Sequence, residues 1–116
     1  MDCRRGEIRI ANFNPSKGTE AGKIRPCLVI QSDLLNEVLH PSTTVIPLTS
    51  QLTDAAPLRL RIHARDQLRV DSDLMIDQLR TIDNRRLSGD SLAELTVMEM
   101  VQMEEYLKIV LGLEPS

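Results

Sequence analysis

Only one long stretch of this chain has the period of a helix that can bury a face, and it comes last. Thr96-Val97-Met98-Glu99 has the form of a capping box: the Thr96 hydroxyl would accept from the Glu99 amide while the Glu99 carboxylate reaches back. Met100, Met103, Leu107, Val110 and Leu111 follow as one apolar stripe, and Gly112 suits the position just past the end. Val97, Met98, Val101 and Ile109 lie on a second arc, open either to water or to another chain.

Everything before that helix is cut into short pieces. Glu7-Ile8-Arg9-Ile10 alternates as a first strand, and Arg25 to Gln31 is an aliphatic, largely buried second one. Asn12 to Lys23 between them is loop, opened by Asn14-Pro15. Asp33 to Val38 makes a short helix capped by Ser32 or Asp33 and stopped by His40-Pro41. Thr43 to Leu48 is a third strand. Leu58-Arg59-Leu60-Arg61-Ile62 alternates most cleanly, with Leu58, Leu60 and Ile62 inward and Arg59, Arg61 and His63 outward. Asp73 to Ile82 is long enough for a strand that bends near Gln78. Short strands followed by one helix predict a mainly β domain, a small curved antiparallel sheet with the helix beside it. At 116 residues, positions 1–116 make one domain.

Composition narrows the function. With one Phe, one Tyr and no Trp, the chain lacks the rings that stack single-stranded bases or wall a groove for Pro-rich peptides. The net charge of −3 disfavours indiscriminate nucleic-acid binding. Residues 1–65 nevertheless hold nine Lys/Arg against six Asp/Glu, and residues 66–116 hold five against eleven. An anionic ligand belongs on the amino-terminal half. Cys3 and Cys27 are too few for a disulfide framework or a zinc site, and Cys27 reads as a small core residue. No membrane span or signal pattern is present, so the expected location is the cytoplasm, with no cofactor and no metal.

The polar loop Gly18-Thr19-Glu20-Ala21-Gly22-Lys23-Ile24-Arg25-Pro26 enters the apolar Cys27-Leu28-Val29-Ile30. Pro26 biases Arg25 towards an extended backbone, which presents a planar, permanently charged fork from a stiff support. Arg5-Gly6-Glu7-Ile8 and Asn14-Pro15-x-x-Gly18-x-Glu20-x-x-Lys23-x-Arg25-Pro26-x-Leu28-Val29-Ile30 together resemble the amino-terminal signature of the MazF/PemK toxin ribonucleases. Thr44-Val45-Ile46-Pro47-Leu48-Thr49-Ser50 resembles that family's central strand. Asp77-Gln78-Leu79-Arg80-Thr81-Ile82-Asp83, with Arg86-Leu87, resembles its late block. Three blocks in order cover almost the whole chain.

The resemblance implies an SH3-like barrel with a carboxy-terminal helix, usually a homodimer. It also implies a toxin cutting single-stranded RNA and an antitoxin partner whose acidic tail covers the groove. The catalytic set it implies is Arg25, Thr49 and Glu20. Arg25 would stabilise charge at the phosphate, and Thr49 would donate from a strand end. Glu20 would act as base or orient Arg25. Gly18, Thr19, Lys23, Ser50, Gln51, Asp77 and Gln78 are the expected substrate-binding residues. Gln78 can read a base edge or equally satisfy loop backbone. RNA carries its own nucleophile in the 2′-OH, so the expected route needs no metal. His40 and His63 fall in no motif and are not expected to be catalytic. Asn12 and Asn14 stand where many members have Asp, and Arg9 where an aromatic is frequent. The expected loop entrance is therefore more positive than usual. The related CcdB gyrase poisons have a Trp-Gly-Ile ending, whereas this chain ends Leu113-Glu114-Pro115-Ser116 and has no Trp. That alternative is weaker for it. An inactive barrel that only binds RNA or protein is the third reading.

Overall fold

The computed structural model describes residues 2–113. In chain order the elements are β1 (Glu7–Asn12), β2 (Ile24–Val29), α1 (Asp33–Glu37), β3 (Ser42–Thr49), β4 (Arg59–Ile62), β5 (Ser72–Met75), β6 (Arg80–Asp83), β7 (Leu87–Glu94) and α2 (Val97–Leu111). Single 3-10 turns at Ile76–Gln78 and Asn84–Arg86 link β5 to β6 and β6 to β7.

The strands form one antiparallel sheet in the order β4-β5-β3-β2-β1-β7, with β6 also against β3. The long β3 is the hub. Its first half pairs β6 and its last two residues pair β5, while β2 holds the opposite edge. The stretch Asp73 to Ile82 is therefore two strands, and the bend at Gln78 is the turn that swings the chain from one end of β3 to the other.

The sheet curves but is not closed. β4 and β7 terminate the strand order, and the expected barrel is in fact an open sheet. A four-residue β4 and a register shift in the β1–β7 ladder between Ile8 and Ile10 leave little edge with which to close it. Strand β7 has no counterpart in the sequence reading, because Leu87-Ser88-Gly89-Asp90-Ser91-Leu92-Ala93-Glu94 is polar and lacks β-branched residues.

Two apolar clusters form the core. One gathers Ile8, Leu28, Ile46, Leu48, Ile62, Leu74 and Ile76 with Met103 of α2. The other gathers Phe13, Cys27, Val29, Val45 and Ile82 with Cys3, Ala11 and Leu87. Burial pushes the Cys27 thiol up to about 12, so it is an inert core residue. In β4, Ile62 is buried and Leu60 packs against the core, whereas Leu58 precedes the strand and is exposed.

Helix α2 begins as expected: the Glu99 amide donates to Thr96 Oγ1 at 3.1 Å, and the Thr96 amide donates to Glu99 Oε1 at 2.8 Å. It ends at Gly112, which takes the left-handed conformation that glycine adopts without strain. Met103 is fully buried, and Met100, Tyr106, Leu107 and Val110 pack beside it. Leu111 is exposed, so the buried stripe stops one residue earlier than expected, and Val97, Met98, Val101 and Ile109 face outward. Among the described residues no helix is long and apolar enough to cross a membrane.

Candidate active site

The ladder between β2 and β3 runs from Val29–Val45 to Cys27–Pro47 and stops. Pro26 and Pro47 have no amide hydrogen to extend it. Continuing the same register places Arg25 opposite Thr49, on one side of the sheet, just where the strands part. The gap is the mouth of a cleft of about 790 Å³, with Lys23, Arg25, Pro26, Leu48, Thr49, Ser50 and Gln51 in its lining. The far wall comes from the loop between β4 and β5, with Gln67, Arg69 and Val70.

Arg25 is held by backbone carbonyls. Its Nε donates to Gly22 O at 2.7 Å, and one terminal nitrogen donates to Leu48 O at 3.2 Å. Burial lowers its pKa from the ordinary arginine value. An arginine in a protein keeps its charge at neutral pH, so the cleft contains a fixed cation. Thr49 Oγ1 accepts from the Gln51 amide at 3.1 Å, which bends the chain after β3 and leaves the hydroxyl hydrogen to be donated.

The loop from Phe13 to Lys23 forms the rim, and its backbone is clamped at three points. Asn14 Oδ1 accepts from the Lys23 amide across the neck, and Arg86 donates to the carbonyls of Asn12 and Asn14 at the base. At the tip, Gln78 donates to Thr19 O and accepts from the Ala21 amide. Gly22 is required here by close approach: a Cβ would stand 2.7 Å from Ser16 Oγ.

Lys23, Arg25, Thr49, Ser50 and Gln51 are brought together; Gly18, Thr19, Glu20, Asp77 and Gln78 lie outside the cleft lining. Gln78 is spent on loop backbone, as one of its two expected roles required. Asp77 pairs with Arg59 at 2.8 Å. The Glu20 carboxylate accepts from the Lys17 amide, and among the described residues no ion pair joins it to Arg25. Arg25 is oriented by carbonyls instead. Arg9 does not enrich the rim either: it is buried and bonded to Glu7, Gly89 O and Asp2 O.

Arg69 and Gln67 were missed by sequence reasoning. Gln67 lies within, and Arg69 just after, an isolated bridge between Arg65 and Leu68 in a stretch without periodicity, and a lone Arg-Val pair before Asp71 gives no signal. Arg69 donates to Gln67 Oε1 at 2.8 Å, so both side chains are held at the wall. His40 and His63 are exposed and stand outside the cleft lining.

Residues 4–111 match the family described as PemK-like, MazF-like toxin of type II toxin-antitoxin system. The chain is 36% identical over 115 residues to endoribonuclease EndoA of Bacillus subtilis, covering 97% of each. It is 33% identical to endoribonuclease MazF of Staphylococcus epidermidis, covering 95% of this chain and 92% of that one. The crystal structure of MazF from Deinococcus radiodurans superposes with a TM-score of 0.81 at 26% identity, over 97% of this chain and 98% of the other. A match over nearly the full length, with the arginine, threonine and proline pattern gathered at one cleft, places this chain in the PemK-like, MazF-like toxin family of type II toxin-antitoxin systems.

Proposed function

We propose that residues 1–116 act as a single toxin domain that cleaves single-stranded RNA, its 2′-OH attacking the adjacent phosphorus without a metal ion. The observation that carries the reading is the meeting of Arg25 and Thr49 across the opened β2–β3 ladder, with Lys23 and Arg69 on either side of the same cleft. Three cations, two side-chain amides and three hydroxyls in a cleft otherwise walled by aliphatic residues and a proline suit a phosphodiester strand whose bases need not stack on rings.

In the reaction the 2′-oxygen forms a bond to phosphorus, the bond to the 5′-oxygen breaks, and a 2′,3′-cyclic phosphate is left. Arg25 stabilises the charge that grows on the phosphoryl oxygens, where a preorganised donor acts most strongly. Thr49 donates to a phosphate oxygen or to the departing 5′-oxygen. Glu20, carried by the rim loop that ends at Lys23, is assigned as the base for the 2′ proton, and the leaving oxygen is protonated to a 5′-OH. The cognate antitoxin would silence this site by laying an acidic segment along the basic cleft. The working unit is a homodimer in the cytoplasm.

Incubating the purified protein with a mixed-sequence RNA in chelator, then mapping the new ends, tests the reading. New 5′-OH ends opposite cyclic or 3′-phosphate ends are expected, and deoxyribose 5′ of the cut should stop the reaction. Cleavage of the deoxy-substituted strand, or strict dependence on a divalent ion, would overturn the route.

A further inference from the structure

Asp73 is the one fully buried carboxylate among the described residues, and no part of the mechanism uses it. It sits on β5 between two residues at the same register level: Arg61 of β4 on one side and Thr49 of β3 on the other. Opposite residues of antiparallel strands share a side of the sheet, so Arg61, Asp73 and Thr49 form one row across three strands, and Arg25 stands where the β2–β3 register, if continued, would extend it. The two oxygens of Asp73 have separate duties. Oδ1 accepts from Arg61 Nε at 2.8 Å, and Oδ2 accepts from the backbone amide of Thr53 at 2.8 Å. Thr53 belongs to the segment that leaves β3, two residues beyond Gln51; Thr49, Ser50 and Gln51 all line the cleft.

We propose that Asp73 is a positioning residue for the Thr49 end of the cleft: its buried carboxylate, oriented by Arg61, ties the segment from Ser50 to Thr53 to β5 and so fixes where the Thr49 hydroxyl points. The inference rests on the RNA-cleaving reading above. The structural logic is that Thr49 Oγ1 already accepts from the Gln51 amide, so any shift of the segment moves the hydroxyl with it. The β2 ladder stops short of Thr49, so beyond the Arg25 bond to Leu48 O the strand end is held by β5 and this tie. A buried acceptor with two strong donors leaves the segment one position, whereas water would allow many.

Asn at position 73 has the same shape but a different bonding pattern. With its oxygen facing Arg61, its NH₂ meets the Thr53 N–H, donor against donor. Asp73→Asn therefore keeps strand packing and releases the segment. The expected result is a fall in kcat of at least about tenfold with KM changed much less, since a displacement of about 1 Å at a reacting group costs rate rather than ground-state binding. Amide hydrogen exchange should accelerate at Gln51 and Thr53 and not in β4 or β5. Thr53→Pro, at an exposed position, removes the donor without touching the buried group and should reproduce the loss of kcat. Normal turnover in either folded variant, or unchanged exchange at Gln51 and Thr53 in Asp73→Asn, would overturn the proposal. If the unaltered protein failed to cut RNA, the functional reading would fall instead, and the exchange measurement would still decide whether the tie exists.

Discussion

At Arg25 the guanidinium is fixed by acceptors that carry no full charge, the carbonyls of Gly22 and Leu48, so its positive charge remains available to a phosphate. Arg25→Ala should lower cleavage by roughly two to three orders of magnitude with the fold intact by circular dichroism. Arg25→Lys should not restore it, because a point charge cannot keep two carbonyls and a phosphate in one plane. Near-normal rates from either variant would make Arg25 structural. Gly22→Ala tests the same residue indirectly: the added methyl must move Ser16 or the carbonyl that orients Arg25. A loss of about tenfold in kcat is expected; an unaltered rate would show that the carbonyl is dispensable. Arg25 and Thr49 were legible because a Pro-flanked charge and a strand-end hydroxyl stand in recognisable motifs. Gln78 was ambiguous, since an amide that reads a base and one that clamps backbone have the same composition. Only its bonds to Thr19 and Ala21 separate the two.

Among the elements, both caps of α2 were readable because its signals are local: a capping box, a stripe and a glycine all lie within seventeen positions. Strand β7 was invisible because its pairing with β1 is decided by a partner some eighty residues away and not by its own composition. What holds α2 to the sheet is likewise non-local. Arg65 makes two parallel bonds to Glu99, at 2.6 and 2.7 Å, and Arg5 pairs with Glu104. The Arg65 fork holds the Glu99 carboxyl below its ordinary value, the Thr96 amide assisting, against a smaller upward push from burial. The sign follows from linkage: a carboxyl lowered on folding stabilises the fold above its unfolded value, and that contribution is lost as pH falls through the folded one. The thermal midpoints of the unaltered chain and of Glu99→Gln should differ at neutral pH and converge on acidification below the usual glutamate range. A gap that persisted in acid would mean that the pair adds nothing. Thr96→Ala should cost about 1 kcal/mol through the lost cap, read from denaturant melts.

For the whole molecule, the charge balance of the sequence placed an anionic ligand on the amino-terminal half, and the cleft revises this by adding Arg69 from beyond it. Arg59 and Arg61, expected to point outward, are engaged with Asp77 and with Asp54 and Asp73. Three cleft cations contacting single-stranded phosphates predict a slope of about −2 for the logarithm of the binding constant against that of salt. Arg69→Gln should reduce its magnitude by about 0.7, and Arg59→Gln should leave it alone; the reverse ranking would move the RNA to another face. Light scattering should give twice the chain mass, and a charge at Val101 should halve it where the outer arc of α2 forms the contact. A monomer at micromolar concentration would remove the dimer. The hub position of β3 has a further consequence in time. Arg25 and Thr49 both leave the ribosome early, but β5, which holds the end of β3, and β7, which holds β1, are made only afterwards. At about 5–20 residues per second, a half-made chain carries both key side chains before the strand and the tie that hold the Thr49 end exist. The cleft is complete only once β5 and the wall that carries Arg69 have followed β3 off the ribosome.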